Sequence, residues 1–486
     1  MLTALLAAGC TAVGPDFQPS APDAPADFAQ WHGGPAELLE QRPAPSTAPI
    51  PGWPLLKDPA LDQLLARATE ANADVRTAAL RLAESRALRE SAGAALAPQL
   101  NAAASATRLR LSESSDSTRA MTALLPPAQQ AQAIAALAQP YTGSQAGLDF
   151  AWEIDLWGRV RRGIEAADAQ LDASAALLAQ AQWSVQAEAA RRYFELRGAQ
   201  RQLALTHRDI AAAEELLALV RARADGGQAT DLDVTRQQTL LADLRARRPP
   251  LLAQEAAAAN ALTLLLAQPP GALQTLLAVR ESEDEPPAWP DLSLGLPSDV
   301  ARRRPDIAQA EALLHAATAN TGVAVADFYP RLTLGAHFGL QTLGNGGFGD
   351  WGNRTWSIGP GLQLPIFDGG RRRATLTVRR LQQQEAAIAY HQTVLQAWHE
   401  IDNALNTYGA ERQRNARLLE KETSSRAALL LAQARYQNGL TDFLTELDAQ
   451  RTLLAARRER ADSDTQLGLA WSAVIKALGP EGEAER

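Results

Sequence analysis

Few residues in this 486-residue chain have the types and spacing that chemistry requires. Six histidines stand at positions 32, 207, 315, 337, 391 and 399, and His391 and His399 lack the acidic partner pattern of a zinc helix. No Gly-x-Ser-x-Gly nucleophile motif occurs. Gly344-Asn-Gly-Gly-Phe-Gly349 lies between two alternating segments, without the following helix and Lys of a phosphate cradle, and reads as an exposed loop. Arg302-Arg303-Arg304-Pro305-Asp306 reads as a helix-start surface rather than an anion site. What remains is a repeated pattern of acids beside glycine turns. Asp442, Glu446 and Asp448, with Arg451, follow Gly439, while Asp231 and Asp233 follow Gly227. With the histidines scattered and no nucleophile motif present, the chain is expected not to be an enzyme and to need no cofactor or metal.

Composition narrows the class. The chain is 46% hydrophobic but only 5% aromatic, a mixture dominated by Ala and Leu that suits long, closely packed helices. The net charge of -8, with Lys only at 57, 421 and 476, gives no footprint for nucleic acid. No uninterrupted apolar run is long enough for a transmembrane helix; Leu251 to Ala267, the best candidate, contains Gln254, Glu255 and Asn260. Only a closed β-barrel could still span a bilayer, because backbone polar groups in lipid must pair internally. The single cysteine excludes an internal disulfide and a thiolate zinc cluster. Met1-Leu-Thr-Ala-Leu-Leu-Ala-Ala-Gly-Cys10 resembles the end of a bacterial lipoprotein signal, with Ala7 where Leu is preferred, so Cys10 is expected to be lipidated.

The elements that position the acids are read from periodicity. Ile164, Ala167, Leu171, Ser174, Leu178, Ala181 and Val185 alternate spacings of three and four, the seam of a coiled-coil helix, which predicts a helix from Gly158 to about Asp225. At about 1.5 Å per residue such a helix is on the order of 100 Å long. A second helix is predicted from Gly370 to about Asn438, with Val394, Trp398, Ile401, Leu405 and Tyr408 in the same alternation. Each ends in a similar turn, Arg223-Ala-Asp-Gly-Gly227-Gln-Ala-Thr-Asp231 and Arg435-Tyr-Gln-Asn-Gly439-Leu-Thr-Asp442, where Gly supplies a left-handed stop and Thr-Asp an N-cap. Return helices are expected over 230–268 and 441–478, and shorter helices over 58–95 and 298–327. Strands of alternating character are expected around 146–154, 332–341 and 356–366, with a weaker, Ala-rich fourth over 100–111; Pro360 implies a bulge or a missing ladder bond.

The halves match at an offset of 212 residues, Gly158 against Gly370. The resulting organisation is a lipoprotein signal remnant over 1–10, an extended strap over 11–59, a first structural repeat over 60–268, a Pro-rich insert over 269–297, a second repeat over 298–478 and a tail over 479–486. Four strands cannot close into a barrel, since single-chain barrels begin at about eight. Three copies would supply twelve.

Cys10 followed by Val13-Gly-Pro-Asp-Phe17, Trp53 with Asp58-Pro-Ala-Leu61, Trp152-Glu-Ile-Asp-Leu-Trp-Gly158, Arg302-Arg-Arg-Pro-Asp306, Pro330-Arg-Leu-Thr-Leu334, Phe367-Asp-Gly-Gly370 and Leu447-Asp-Ala-Gln450 together resemble the TolC-like outer-membrane efflux proteins, specifically the NodT-type lipoprotein branch. The resemblance implies a mainly α fold with a small β part: a homotrimer with a twelve-stranded transmembrane barrel continuous with a periplasmic helical barrel. It implies lipid anchoring in the Gram-negative outer membrane, docking to a periplasmic adaptor protein and an inner-membrane pump of the resistance-nodulation-division (RND) type, and efflux of drugs or other toxic small solutes. By the same resemblance Leu444 matches the apolar ring of a closed periplasmic gate, Asp448 its acidic ring and Arg451 the pairing partner. Asp442, Glu446, Asp231 and Asp233 add charge beside it, and Thr441 stands where some relatives carry Arg. A ring of three carboxylates repels itself unless bound by cations or Arg, so docking could loosen it. A type I protein-secretion conduit, or a coiled-coil envelope spacer or adhesin, are the competing readings.

Overall fold

A computed structural model describes residues 12–19, 25, 28, 30–39, 52–278, 289, 292, 294, 297–343 and 347–480. Cys10 with the rest of 1–10, parts of the strap and of the Pro-rich insert, and 481–486 lie outside the described residues. In chain order the elements are α1 (Ala36–Leu39), α2 (Pro59–Ala71), α3 (Ala73–Ala94), β1 (Gln99–Leu109), α4 (Asp116–Thr122), α5 (Pro127–Leu137), β2 (Tyr141–Ile154), α6 (Arg159–Asp225), α7 (Asp231–Leu265), α8 (Gln274–Leu277), α9 (Pro297–Arg303), α10 (Pro305–Ala326), β3 (Arg331–Leu343), β4 (Arg354–Gln363), α11 (Arg371–Gln437) and α12 (Phe443–Leu478). Helix, two strands and a helical hairpin thus occur twice, and both α6 and α11 are 67 residues long.

Two expected helices are each divided. The 58–95 segment breaks at Asn72, whose side-chain oxygen accepts from the backbone N–H groups of Asp74 and Val75 and so caps α3, while its amide donates to the Leu265 carbonyl at 3.0 Å. The 298–327 segment breaks before Pro305, which disfavours a helical conformation at Arg304. Conversely, Pro249 and Pro250 lie inside α7 and do not end it.

The chain forms two units. The first comprises the described residues up to Gln18 together with Ser85–Leu171 and Leu314–Ala386. Its centre is one antiparallel sheet in the order β1-β2-β3-β4. Pairing sets Ala102 opposite Leu148, Leu148 opposite Phe338 and Phe338 opposite Trp356, so one face is apolar. On the other face Asn101, Asp149, His337 and Ser357 share a row. Trp356, Ile358 and Leu362 are each at least 68% exposed, so none of the described residues covers the apolar face there. Pro360 sits opposite Leu334 in unbroken register, so the expected bulge is absent; β4 lies at the sheet's border, where a missing donor is tolerated.

An extended stretch of the strap, residues 12–18, docks on this unit. The Val13 N–H donates to the Trp157 carbonyl at 3.0 Å, Phe17 stacks on His315 with ring centroids 4.4 Å apart, and Arg162 binds Asp16 and Glu165. Gly14 has φ +97°, and a Cβ there would lie 2.5 Å from the Gly322 Cα. Only glycine at position 14 permits this approach, while a Cβ at Gly322 would press on the Arg162 side chain at 2.9 Å.

The second unit comprises the described residues of Pro19–Glu84 with Asp172–Leu313 and Ala387–Arg486. It is helical, and its core includes Leu61, Leu64, Leu196, Leu262, Ile401, Leu405 and Trp471, all almost completely buried. Trp53 packs with Trp183 and Trp471, and Trp289 with Phe194 and Trp471, so strap and insert residues both reach one aromatic cluster. A Cβ at Gly468 would lie 2.6 Å from the Trp289 ring, which explains that glycine inside α12. Among the described residues no helix is long and apolar enough to cross a membrane.

Candidate functional site at the hairpin turns

Both hairpins turn by the same local rule. Gly227 and Gly439 adopt φ +72° and +70°. The Gln228 N–H donates to the Arg223 carbonyl and the Leu440 N–H to the Arg435 carbonyl, each at 2.9 Å or less, closing the helix ends with the six-to-one bond of a Schellman motif. The return helices are then capped. Thr230 and Asp233 form a reciprocal capping box on α7, and Asp442 accepts from the Thr445 N–H at 3.1 Å and its hydroxyl at 2.8 Å on α12. The Thr445 hydroxyl and backbone hydrogen bonds hold the Asp442 carboxyl below the usual range.

One apolar cluster fastens the two turns together. Leu217, Val220, Leu240, Leu241 and Leu244 from the first hairpin meet Phe443, Leu447 and Leu454 of α12. Tyr436 packs against Phe443 with centroids 5.6 Å apart, and Arg223 from the other hairpin lies over the Tyr436 ring at 5.1 Å.

With Phe443 and Leu447 turned inward, the opposite side of α12 is presented outward. Leu444 is 44% exposed, and Asp448 and Arg451, four and seven residues on, are exposed on the same stripe. The Asp448 carboxylate has no partner among the described residues, and it does not pair with Arg451 within the protomer. Asp231 is likewise exposed. Glu446, expected to add negative charge near the turn, is 5% exposed, because it lies beside Leu447 on the packed stripe. Burial pushes its carboxyl up, against the opposing pull of a Gln433 hydrogen bond and the Arg223 charge. Asp233 and Asp442 serve first as caps. The exposed set at the turns is therefore Leu444, Asp448, Arg451, Asp231 and the capping Asp442, with Gly227 and Gly439 setting their positions.

A second ionic cluster, farther along α11 and α12, escaped the sequence reading. Glu422 of α11, 7% exposed, accepts from Arg426 at 2.8 Å and from Arg460 of α12 at 2.9 Å, with Arg457 at 3.9 Å. Burial opposes the Glu422 charge, but the Arg460 and Arg426 hydrogen bonds outweigh it and hold the carboxyl below the usual range. Asp464 accepts from Asn415 at 2.7 Å and lies 3.7 Å from Arg201 of α6. The only sequence trace was the i,i+4 spacing of Glu422 and Arg426. Arg304 is also not the surface group its motif suggested. It is 7% exposed, binds Asp306 at 2.6 Å and Glu400 at 2.7 Å, and donates to the Ala477 carbonyl at the end of α12 at 2.8 Å. All its charge is consumed internally. No group of three His, Cys, Asp or Glu suited to a metal occurs among the described residues.

The turns thus present an apolar side chain, carboxylates and a guanidinium to solvent. Comparison with known proteins agrees with a transport role. The family model described as outer membrane efflux protein matches residues 64–268 and 296–480. The chain is 37% identical over 329 residues to outer membrane protein OprJ of Pseudomonas aeruginosa, covering 68% of each. It is 32% identical over 492 residues to the toluene efflux pump outer membrane protein TtgI of Pseudomonas putida, covering 99% of this chain and 97% of that protein. Among solved structures, the outer-membrane channel OprN superposes with a TM-score of 0.81 at 33% identity, covering 96% of this chain and 98% of that one. The outer membrane protein VceC of Vibrio cholerae superposes at 0.76 and 27% identity, covering 88% and 98%.

Proposed function

Because the chain belongs to the outer membrane efflux protein family, we propose that it is the outer-membrane duct of a tripartite efflux system, passing small toxic solutes from an adaptor and an inner-membrane RND-type pump to the exterior. The observation that carries this is the sheet: four strands, β1 and β4 unpaired at its borders, with an uncovered apolar face. Unpaired edges and exposed Trp356, Ile358 and Leu362 are costly in water, and three copies remove both costs at once by closing a twelve-stranded wall against lipid. The polar row of Asn101, Asp149, His337 and Ser357 then faces the lumen.

In this reading the two glycine turns point into the periplasm. Leu444 narrows the passage, and Asp448 and Arg451, unpaired within one protomer, meet their opposites on neighbouring copies. Cys10 carries the lipid anchor, and the strap over 11–59 leads from it to the helices. The repeats over 60–268 and 298–478, divided by the insert over 269–297, supply matching halves of the wall. Toluene efflux in the name of a relative matched along 99% of this chain favours small solutes over secreted protein. The test is single-channel recording of purified protein in planar bilayers. Discrete conductance steps are expected, and a preparation that never conducts, with or without substitutions at the turns, overturns the proposal.

A further inference from the structure

The polar face of the sheet carries little charge. Glu153 is held by Arg159 at 2.7 Å and Arg331 by Asp327 at 2.6 Å, both at the ends of their strands. The phenol of Tyr141 apart, the remaining ionisable groups on that face of the four strands are Asp149 of β2 and His337 of β3, paired through Oδ1 and Nδ1 at 2.8 Å. Their row neighbours, Asn101 on β1 and Ser357 on β4, are uncharged. Both side chains of the pair are open to solvent, His337 at 40% and Asp149 at 54%.

The wall beneath the imidazole is built to receive it. Gly147 and Gly339 face each other one step along from the pair. A Cβ at Gly147 would lie 2.9 Å from His337 Cε1, and one at Gly339 would lie 3.1 Å from Nε2. The ring therefore lies flat along a glycine floor, and its free edge stays accessible to water. This placement, with the carboxylate fixed at Nδ1, makes one proton the difference between a net negative pair and a neutral one.

We propose that Asp149 and His337 set the ion preference of the pore through the outer membrane, their three copies forming a negative ring that favours cationic solutes until the imidazoles are protonated. The inference rests on the closed threefold wall described above. A barrel of twelve strands is too wide for opposing copies to share a metal ion, so the ring acts through its field on passing solutes rather than by coordination. A proton on the imidazole cancels the charge of the carboxylate it faces, so the preference is expressed under neutral conditions and fades in acid.

The experiment is the reversal potential of the conducting trimer across a KCl gradient, at pH 8 and pH 5.5. The wild-type protein should be cation-selective at pH 8, with the permeability ratio falling about twofold or more at pH 5.5. His337→Gln keeps a polar group over the glycine floor and should flatten this pH response. Asp149→Asn should lower cation preference at pH 8 and leave acid conditions favouring anions. Measuring each as a difference from the parent removes the constant contribution of acids at the turns. A trimer that conducts while both variants keep the parental ratio at both pH values overturns the inference alone. A protein that never conducts removes the duct and this inference together.

Discussion

Glu422 is the clearest case in which a single side chain holds two elements together. Its folded carboxyl sits below the ordinary glutamate range, so it contributes stability at neutral pH that disappears as pH falls through the depressed value. Glu422→Gln should cost about 2 kcal/mol at pH 7, the scale of a hydrogen bond to a charged group. Thermal unfolding of the purified protein measured from pH 7 to 3.5 should show the gap between parent and variant closing below about pH 4. A constant gap would mean that Glu422 acts by packing rather than charge. Asp448 belongs to a different class, exposed and unpaired in the protomer. Asp448→Ala is expected to raise basal conductance by removing one ring of the closed turn, and unchanged conductance would argue against its gate role. Asp448 and Leu444 were singled out by family resemblance, not by any local residue pattern. The burial of Glu446 was foreshadowed by Phe443, Leu447 and Leu454, which mark a packed stripe whose width takes in position 446.

Elements were more legible than side-chain partners, for a physical reason. The bounds of α6 and α11 follow from glycine turns and N-caps, which act within a few residues, and a seam spacing of three and four marks 164–185 and 394–408 within them. Strands β2, β3 and β4 showed their alternation because one face is apolar. Strand β1 did not, since Ala102, Ala103, Ala104 and Ala106 point to both faces; its conformation is set by pairing with β2, which no local window contains. The division at Asn72 had a readable signal, an N-cap Asn, that continuous apolar spacing masked. Gly439 supplies a prediction at this scale. Its φ of +70° has open space around it, so Gly439→Ala meets no clash and pays only left-handed strain, about 1 kcal/mol. Amide hydrogen exchange over residues 431–447 should quicken roughly fivefold under conditions where exchange follows local opening. Unaltered exchange would show that the turn is held by the apolar cluster alone.

For the molecule as a whole, the decisive feature is an incomplete surface. The four-stranded sheet leaves two edges unpaired, and Leu100, Trp356, Ile358 and Leu362 stay at least 65% exposed on its apolar face. Exposed apolar surface and open edges of this kind belong to a part rather than a finished object. Threefold closure would also bring Asp448 of one copy toward Arg451 of another and turn the Asp149–His337 row into a ring. The proposed gate and pore ring both depend on that closure. The direct measurement is single-particle imaging of the purified protein in detergent, at a resolution that separates strands. The account predicts three copies about one axis, with β1 of each paired to β4 of the next around a water-filled lumen. A monomer whose β1 and β4 remain unpaired, or whose sheet folds its apolar face onto its own helices, would contradict it.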